Sequence, residues 1–225
     1  MKMLVTGKSG FVGRHVVREL ESRDVEIVPD FTDRPEAVIH LGWGHLPNYE
    51  SYLHSAQVQW HHGFLSAVIG DGITNITAAG SCLELVDDPP VYGLAKISVR
   101  DGLLWRLPTA KWVRFWNVYG PGQREECLLP SLRRAMERGD ESFQVIDGMR
   151  DFIPVQDAAK RLVDIALQEE ESGVFDCGSG TAVPVIDFCR KFTGDSTIRL
   201  ETGYPMPSYE PKVFSIRNRN EHGDR

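Results

Sequence analysis

Short apolar runs alternate with longer segments of helical periodicity along most of the chain. Met3 to Val5 reads as a buried strand, and Phe11 to Leu20 behind it as an amphipathic helix. Val25 to Pro29 and Ala37 to Leu41 read as the next two strands. Ser51 to Ile69 is a long helix, Ile73 to Ala79 a strand, and Tyr92 to Leu107 a helix that Pro108 stops. Trp112 to Trp116 is a strand running into a turn from Asn117 to Gly122. Leu128 to Arg138 is amphipathic and closes at Gly139. Short segments follow at Phe143 to Ile146 and Phe152 to Pro154, then a helix from Val155 to Gln168. A strand from Gly173 to Cys177 and a helix from Pro184 to Phe192 complete the pattern. This alternation predicts an α/β fold with a doubly wound, mostly parallel sheet covered by helices on both faces.

One connection stands out. Only Phe31 to Glu36 separate the strand ending near Asp30 from the one beginning at Ala37. A parallel crossover normally uses a dozen residues or more, and six or seven extended residues span roughly 20–25 Å. The expectation is an extended, helix-free connection.

Between the first strand and the first helix stand Gly7, Gly10 and Gly13. In that position the first permits a tight turn, the second a close approach of backbone amides to a pyrophosphate, and the third close packing of helix on strand. The helix N-terminus then faces the phosphates with its positive end. The spacing is G-x-x-G-x-x-G rather than G-x-G-x-x-G. The fold expected is therefore Rossmann-like. Asp30 ends the second strand, where such folds place a carboxylate for the adenosine ribose hydroxyls; it reads equally as an ordinary polar strand end. Leu41, Gly42 and Trp43 lie at the carboxyl end of the third strand, where ligands of open α/β sheets collect.

Tyr92-Gly93-Leu94-Ala95-Lys96 places a phenol and an ammonium on one helical face. With the glycine-rich turn, this resembles the short-chain dehydrogenase/reductase superfamily. Val38 to Trp43, Gly80 to Glu84, Arg114 to Gly122, Arg150 to Val155 and Cys177 to Gly180 extend the resemblance to its NAD-dependent epimerase/dehydratase branch. These pieces come in the family's order over nearly the whole chain, with two trimmed segments, after Asp30 and between Ser81 and Tyr92. The resemblance implies a dinucleotide-binding core over residues 1–122. Residues 123–225 would be mainly a small substrate-binding subdomain, with 143–177 contributing segments back to the core.

It also implies a cofactor, NAD with NADP possible, held along Gly7, Ser9, Gly10, Phe11, Val12, Gly13, Asp30, Leu41, Gly42 and Trp43. Tyr92 is then the catalytic acid–base, and Lys96 holds the nicotinamide ribose and favours the phenolate. Ser81 hydrogen-bonds the reacting oxygen. Asn117 and Arg150 lie near the diphosphate of a nucleoside-diphosphate sugar; Arg150 reads also as a salt-bridge partner of Asp151. Trp43 and the Tyr204 to Pro211 segment wall a sugar pocket or simply pack. The Gly80 to Glu84 segment and the Gly203 to Pro211 tail look most like the 4-ketoreductases that act on 4-keto-6-deoxy-hexoses. A redox-neutral epimerase and a non-catalytic dinucleotide sensor are the alternatives. The resemblance further implies a homodimer pairing the 51–69 and 92–107 helices.

Composition narrows the partners. The chain has 225 residues, 41% of them hydrophobic, and a net charge of −7. That length suits one domain, or one plus a small subdomain. Its basic residues are dispersed, which argues against nucleic acid. No apolar run reaches the eighteen or so residues of a membrane span, and the start lacks a signal-peptide pattern, so a cytoplasmic protein is expected. The four cysteines form no C-x-x-C pair, so reduced thiols are expected. His61-His62 invites a metal reading, but adjacent helical residues diverge, and no metal is expected. The last nine residues are expected to be mobile.

Overall fold

The structure is a computed structural model that describes residues 1–169, 171–209 and 212–214. In chain order the first elements are β1 (Lys2–Thr6), α1 (Gly13–Glu21), β2 (Glu26–Val28), β3 (Ala37–His40), α2 (Leu53–Gly70) and β4 (Asn75–Ser81). Then come α3 (Val91–Arg106), β5 (Lys111–Phe115), β6 (Asn117–Tyr119), α4 (Leu128–Arg138), β7 (Ser142–Ile146) and β8 (Met149–Pro154). The last are α5 (Val155–Leu167), β9 (Gly173–Cys177), β10 (Ala182–Pro184), α6 (Val185–Arg190), β11 (Arg199–Tyr204) and β12 (Val213–Phe214). They form two compact units, Met1–Phe115 with Val155–Cys177, and Trp116–Pro154 with Gly178 onward. The expected mobility of the last nine residues falls outside the described residues.

The first unit is the Rossmann-like sheet. Its six strands run in the order β2-β1-β3-β4-β5-β9, and every pairing is parallel. Strands buried on both faces need apolar side chains on both, and β3 is buried at all four positions. Against the sheet, α1 packs with α5 and α2 with α3. Val38, Ile76, Ala78 and Trp112 from the strands meet Leu65 and Val68 of α2 and Val99 and Leu103 of α3 in one core. Burying each such aliphatic side chain contributes about 1.5–3 kcal/mol.

The short β2–β3 connection has a simple geometric solution. β2 is only three residues long and ends opposite Leu4, while β3 begins opposite Met3. The chain therefore steps across β1 with almost no return along the strand direction, and a dozen residues are not needed. The connection is not wholly extended, contrary to expectation. Phe31–Asp33 make one 3₁₀ turn, and Arg34 follows with φ +51°. Asp30 nucleates that turn by capping it, a signal that a bare count of connecting residues misses.

In the second unit, β8 pairs antiparallel with β10 and parallel with β12 and β6. β7 and β11 form a separate parallel pair. Phe152 stacks on Phe188 with centroids 3.7 Å apart, over a core that includes Leu132, Ala135 and Val145. Asn117 to Tyr119, expected within a turn, is strand β6. Three half-buried residues carry no periodicity, so only the pairing with Phe152–Pro154 reveals it.

Candidate active site

The carboxyl ends of β1, β3 and β4 share one edge of the first unit's sheet. Strand order reverses at β1, with β2 on one side and β3 on the other, which is where open α/β sheets bind ligands. Gly7 leaves β1 with φ +70°. A Cβ at Gly13 would lie 2.1 Å from the Gly7 carbonyl oxygen, so only glycine lets α1 sit this close to the turn. α1 has Val12 as its N-cap residue and no side-chain cap. The Phe11 and Val12 amides, in the turn just ahead of α1, are placed as the donors a phosphate takes, whereas the Arg14 and His15 amides are bonded to the carbonyls of Gly10 (3.1 Å) and Val12 (3.0 Å). Ser9 offers its carbonyl to Arg14 at 3.4 Å. The Gly42 N–H donates to Thr6 Oγ1 (3.2 Å) and the Leu41 N–H to the Thr6 carbonyl (3.2 Å), which fixes the end of β3 beside the turn. A turn too tight for side chains, with the Phe11 and Val12 amides just ahead of α1, fits a dinucleotide pyrophosphate.

Asp30 lies just past β2 and is exposed. Its Oδ1 accepts from the Thr32 amide (2.8 Å) and from the Thr32 hydroxyl. The hydroxyl, then the amide, hold the carboxyl below its ordinary range. Oδ1 is thus used locally as a cap.

Ser81, Tyr92 and Lys96 come together, Ser81 from the end of β4 and the other two from α3. Ser81 ends β4 and caps the 3₁₀ turn Cys82–Leu85: its Oγ accepts from the Leu83 N–H (3.2 Å), and Glu84 Oε1 accepts from the Ser81 N–H (2.7 Å). The Glu84 side chain is fully buried. It also accepts from Trp112 Nε1 (3.0 Å) and from Arg100 Nη1 (3.1 Å). Gly80 makes room for this, since a Cβ there would meet Trp112 Nε1 at 2.2 Å and Glu84 Oε1 at 2.5 Å. Ser81-x-x-Glu84 is a capping-box spacing, so the sequence carried a signal for Glu84 that the functional reading passed over.

Tyr92 and Lys96 sit one turn apart on α3, whose Tyr92 N–H is taken by the Tyr49 carbonyl (2.9 Å). Tyr92 is buried, and Ser81 lies close enough to act on its phenol. Its pKa moves opposite to expectation. Burial pushes the phenol well above 10, the nearby Tyr49, Glu84 and Cys82 add to it, and Ser81 offsets only part. Without a ligand Tyr92 is a neutral phenol: desolvation of the phenolate outweighs any help from the lysine. Lys96 Nζ donates to the Ala79 carbonyl (2.7 Å). Burial brings its pKa down to about 7, with Glu84 acting in the opposite sense.

An aromatic group surrounds this pair. The Lys96 ammonium lies 3.8 Å from the Trp43 ring centroid. Trp43 stacks on His61 (4.2 Å, 6° between planes) and donates from Nε1 to His54 Nδ1 (3.2 Å). His54 Nε2 meets the Asn48 carbonyl at 2.7 Å, so it carries the proton and leaves Nδ1 to accept. Tyr92 is flanked by Tyr49, His54 and Trp43, at 5.4, 5.1 and 5.7 Å. Behind Trp43, Thr6 Oγ1 meets His40 Nδ1 (2.8 Å) and His40 Nε2 meets His61 Nδ1 (2.9 Å). Burial, above all, pushes both imidazoles down to about 3. His61 points inward, whereas His62 packs on Gly102 of α3. Tyr49, His54 and His40 had no role in the sequence reading, and His61 was weighed only as a metal ligand, because the group is assembled from β3, α2 and the loops beside them.

Asn117 and Arg150 belong to the second unit. Asn117 Nδ2 donates to the Asp151 carbonyl (3.1 Å). Arg150 is buried, and its Nη1 donates to the carbonyls of Met149 (2.8 Å) and Lys212 (3.3 Å). The Asp151 carboxylate accepts from the Ser179 amide and hydroxyl (2.7 and 2.6 Å) and the Gly180 amide (2.8 Å). Tyr204 and Met206 are exposed at the end of β11.

Known proteins resemble this chain along most of their length. The chain is 22% identical over 263 residues to a dTDP-6-deoxy-L-talose 4-dehydrogenase (NAD(+)) of Aggregatibacter actinomycetemcomitans, covering 93% of this chain and 97% of that protein. That likeness, over nearly the whole of both chains, is to an NAD-dependent dehydrogenase of a nucleotide sugar. No family model matches it. Among solved structures, an NAD-dependent NDP-hexosamine 5,6-dehydratase involved in tunicamycin biosynthesis superposes with a TM-score of 0.80 at 22% identity, covering 98% of this chain and 90% of that one. A dTDP-4-dehydrorhamnose reductase from Clostridium acetobutylicum gives 0.80 at 18%, covering 97% and 91%. The chain shares the Rossmann-type fold of these two structures. Among its described residues no helix is long and apolar enough to cross a membrane.

Proposed function

We propose that the chain is a cytoplasmic NAD(P)-dependent oxidoreductase of a nucleoside-diphosphate sugar, reducing the 4-keto group of a 6-deoxy-hexose. The observation that carries this reading is Ser81 beside the buried Tyr92, with Lys96 one turn on, in the same unit as the Gly7–Gly13 turn. The named activity of the talose dehydrogenase, at C4 of a 6-deoxy sugar, supports the position of reaction.

The amides of the glycine turn ahead of α1 would hold the pyrophosphate, Leu41, Gly42 and Trp43 would line the cofactor's path, and Lys96 would take the nicotinamide ribose; the cofactor, when bound, would supply the hydride. The neutral phenol of Tyr92 gives its proton to the carbonyl oxygen as that oxygen gains charge, so C=O becomes CH–OH. Ser81 hydrogen-bonds the same oxygen and keeps the phenol in line. A buried, un-ionised phenol is the correct starting state for a proton donor, which favours reduction as the working direction. Asn117 and Arg150 are assigned to the diphosphate, where a guanidinium suits phosphate geometry. Asp30 repels a 2′-phosphate, so NAD(H) should bind more tightly than NADP(H); the two dissociation constants test it, and the reverse order removes Asp30 from the site.

The test of the activity is NADH oxidation on adding a nucleoside-diphosphate 4-keto-6-deoxy-hexose. Reduction to the 4-hydroxy sugar is expected. Cofactor binding with no turnover across a panel of keto sugars would instead mean a sensor. Sugar interconversion without added donor would mean an epimerase. Tyr52, Trp60, Leu94 and Trp105 are exposed on or beside α2 and α3, in keeping with a homodimer through these helices. Sedimentation at micromolar concentration should give twice the chain mass, and a monomer there would exclude it.

A further inference from the structure

We propose that Trp43 is a positioning residue of this site: its indole carries the Lys96 ammonium, and His54 and His61 hold the indole in place. The inference rests on the reading of Tyr92 and Lys96 given above. Trp43 is where β3 hands over to the loop at the switch point, and its side chain is fixed in two ways. Nε1 is committed to His54 Nδ1, and the ring stacks on His61 with almost parallel planes. The His61 ring is in turn tied through His40 to Thr6, the residue immediately before the glycine turn. His61 Nε2 is buried with no hydrogen-bond partner among the described residues. A buried imidazole left unsatisfied on one side costs free energy, which marks a ring kept in this place for what it supports.

Among the described residues the ammonium hydrogen-bonds the Ala79 carbonyl, and it lies over the Trp43 face at 3.8 Å. Trp112 is farther away, at 5.8 Å, and the Tyr92 ring at 5.7 Å. A tryptophan face is the best aromatic partner for a desolvated cation, so Trp43 favours the charged form. Other groups act on the same nitrogen. Glu84, from the turn after β4, also favours charge, and Arg100 on α3 partly neutralises Glu84. His40 on β3 and His54 and His61 on α2 are near enough for the ammonium to depress their protonation. With burial already bringing Lys96 down to about 7, Trp43 helps decide whether the lysine is charged at neutral pH.

The experiment follows the Lys96 ¹³Cε shift against pH in the cofactor-free protein, assigned with Lys96→Met. Trp43→Leu should lower the Lys96 pKa by about one unit, and Trp43→Phe by less, because a weaker aromatic face remains. Fluorinated tryptophan, which preserves shape and weakens the ring's negative face, should lower it in the native chain. That sensitivity should nearly vanish in Trp43→Phe, which separates Trp43 from Trp112. The high-pH limb of the kcat profile should move down with the titration. A Lys96 titration unchanged by substitution and by fluorination overturns the inference. A titration that shifts as described in a protein that reduces no keto sugar leaves the positioning intact and removes the oxidoreductase reading instead.

Discussion

Glu84 illustrates what a single buried residue does here. Its carboxylate has no exposed side-chain surface and accepts from the Ser81 amide, the Trp112 indole and the Arg100 guanidinium. Burial alone raises its pKa, and three donors offset that cost. Removing one partner of such a buried pair strands the others, typically at 3–5 kcal/mol. Glu84→Ala should therefore destabilise the protein by about 3 kcal/mol and loosen Ser81, measured as a lower urea midpoint with unchanged slope. An unaltered midpoint would mean that water replaces the carboxylate. At this scale the sequence was most legible where two residues share one helix or one turn, as Tyr92 and Lys96 do. It was least legible for His54 and Trp43, whose contact depends on how a loop and a helix meet. It also gave the wrong direction for Tyr92, because adjacency to a lysine was visible and the depth of burial was not.

At the level of elements, apolar periodicity located the parallel sheet and its helices, within a residue or two of their ends. It missed β6, which exists only because β8 lies beside it, and it overstated the problem of the β2–β3 connection because the length of β2 could not be read from Val25 to Pro29. The glycine turn was legible because close packing there tolerates no side chain. Gly13→Ala places a Cβ 2.1 Å from the Gly7 oxygen, so the turn must open. Cofactor affinity should fall at least tenfold by calorimetry, and native affinity would detach the turn from binding. The β3–α2 contact predicts a pH effect. His40 and His61 have folded pKa values near 3, below the ordinary 6.5, so below that pH the unfolded chain binds more protons. Stability should fall as pH drops from 6.5 toward 3, by about 1.4 kcal/mol per pH unit for each proton. In His61→Phe, which keeps a ring against Trp43, urea midpoints between pH 6.5 and 4 should fall less steeply. An identical slope would assign the acid sensitivity elsewhere.

For the whole molecule, the proposed chemistry falls in the first unit, which holds the glycine turn, Ser81, Tyr92, Lys96 and Trp43. The second unit supplies Asn117 and Arg150, whose proposed ligand is the diphosphate. The order of motifs along the chain is the ground for this proposed division of labour, and the sheet that carries the glycine turn and the Tyr92–Lys96 helix was legible from it. The central claim is that Tyr92 gives the proton. Tyr92→Phe removes one oxygen and leaves the ring packing against Tyr49, His54 and Trp43. The direct measurement is steady-state reduction of a nucleoside-diphosphate 4-keto-6-deoxy-hexose by both proteins, alongside cofactor titration of each. General acid catalysis contributes about 10²–10⁴-fold, so turnover should fall by that factor while the cofactor dissociation constant stays within about twofold, because the pyrophosphate turn and Lys96 are untouched. Turnover in Tyr92→Phe equal to that of the native chain would contradict the account.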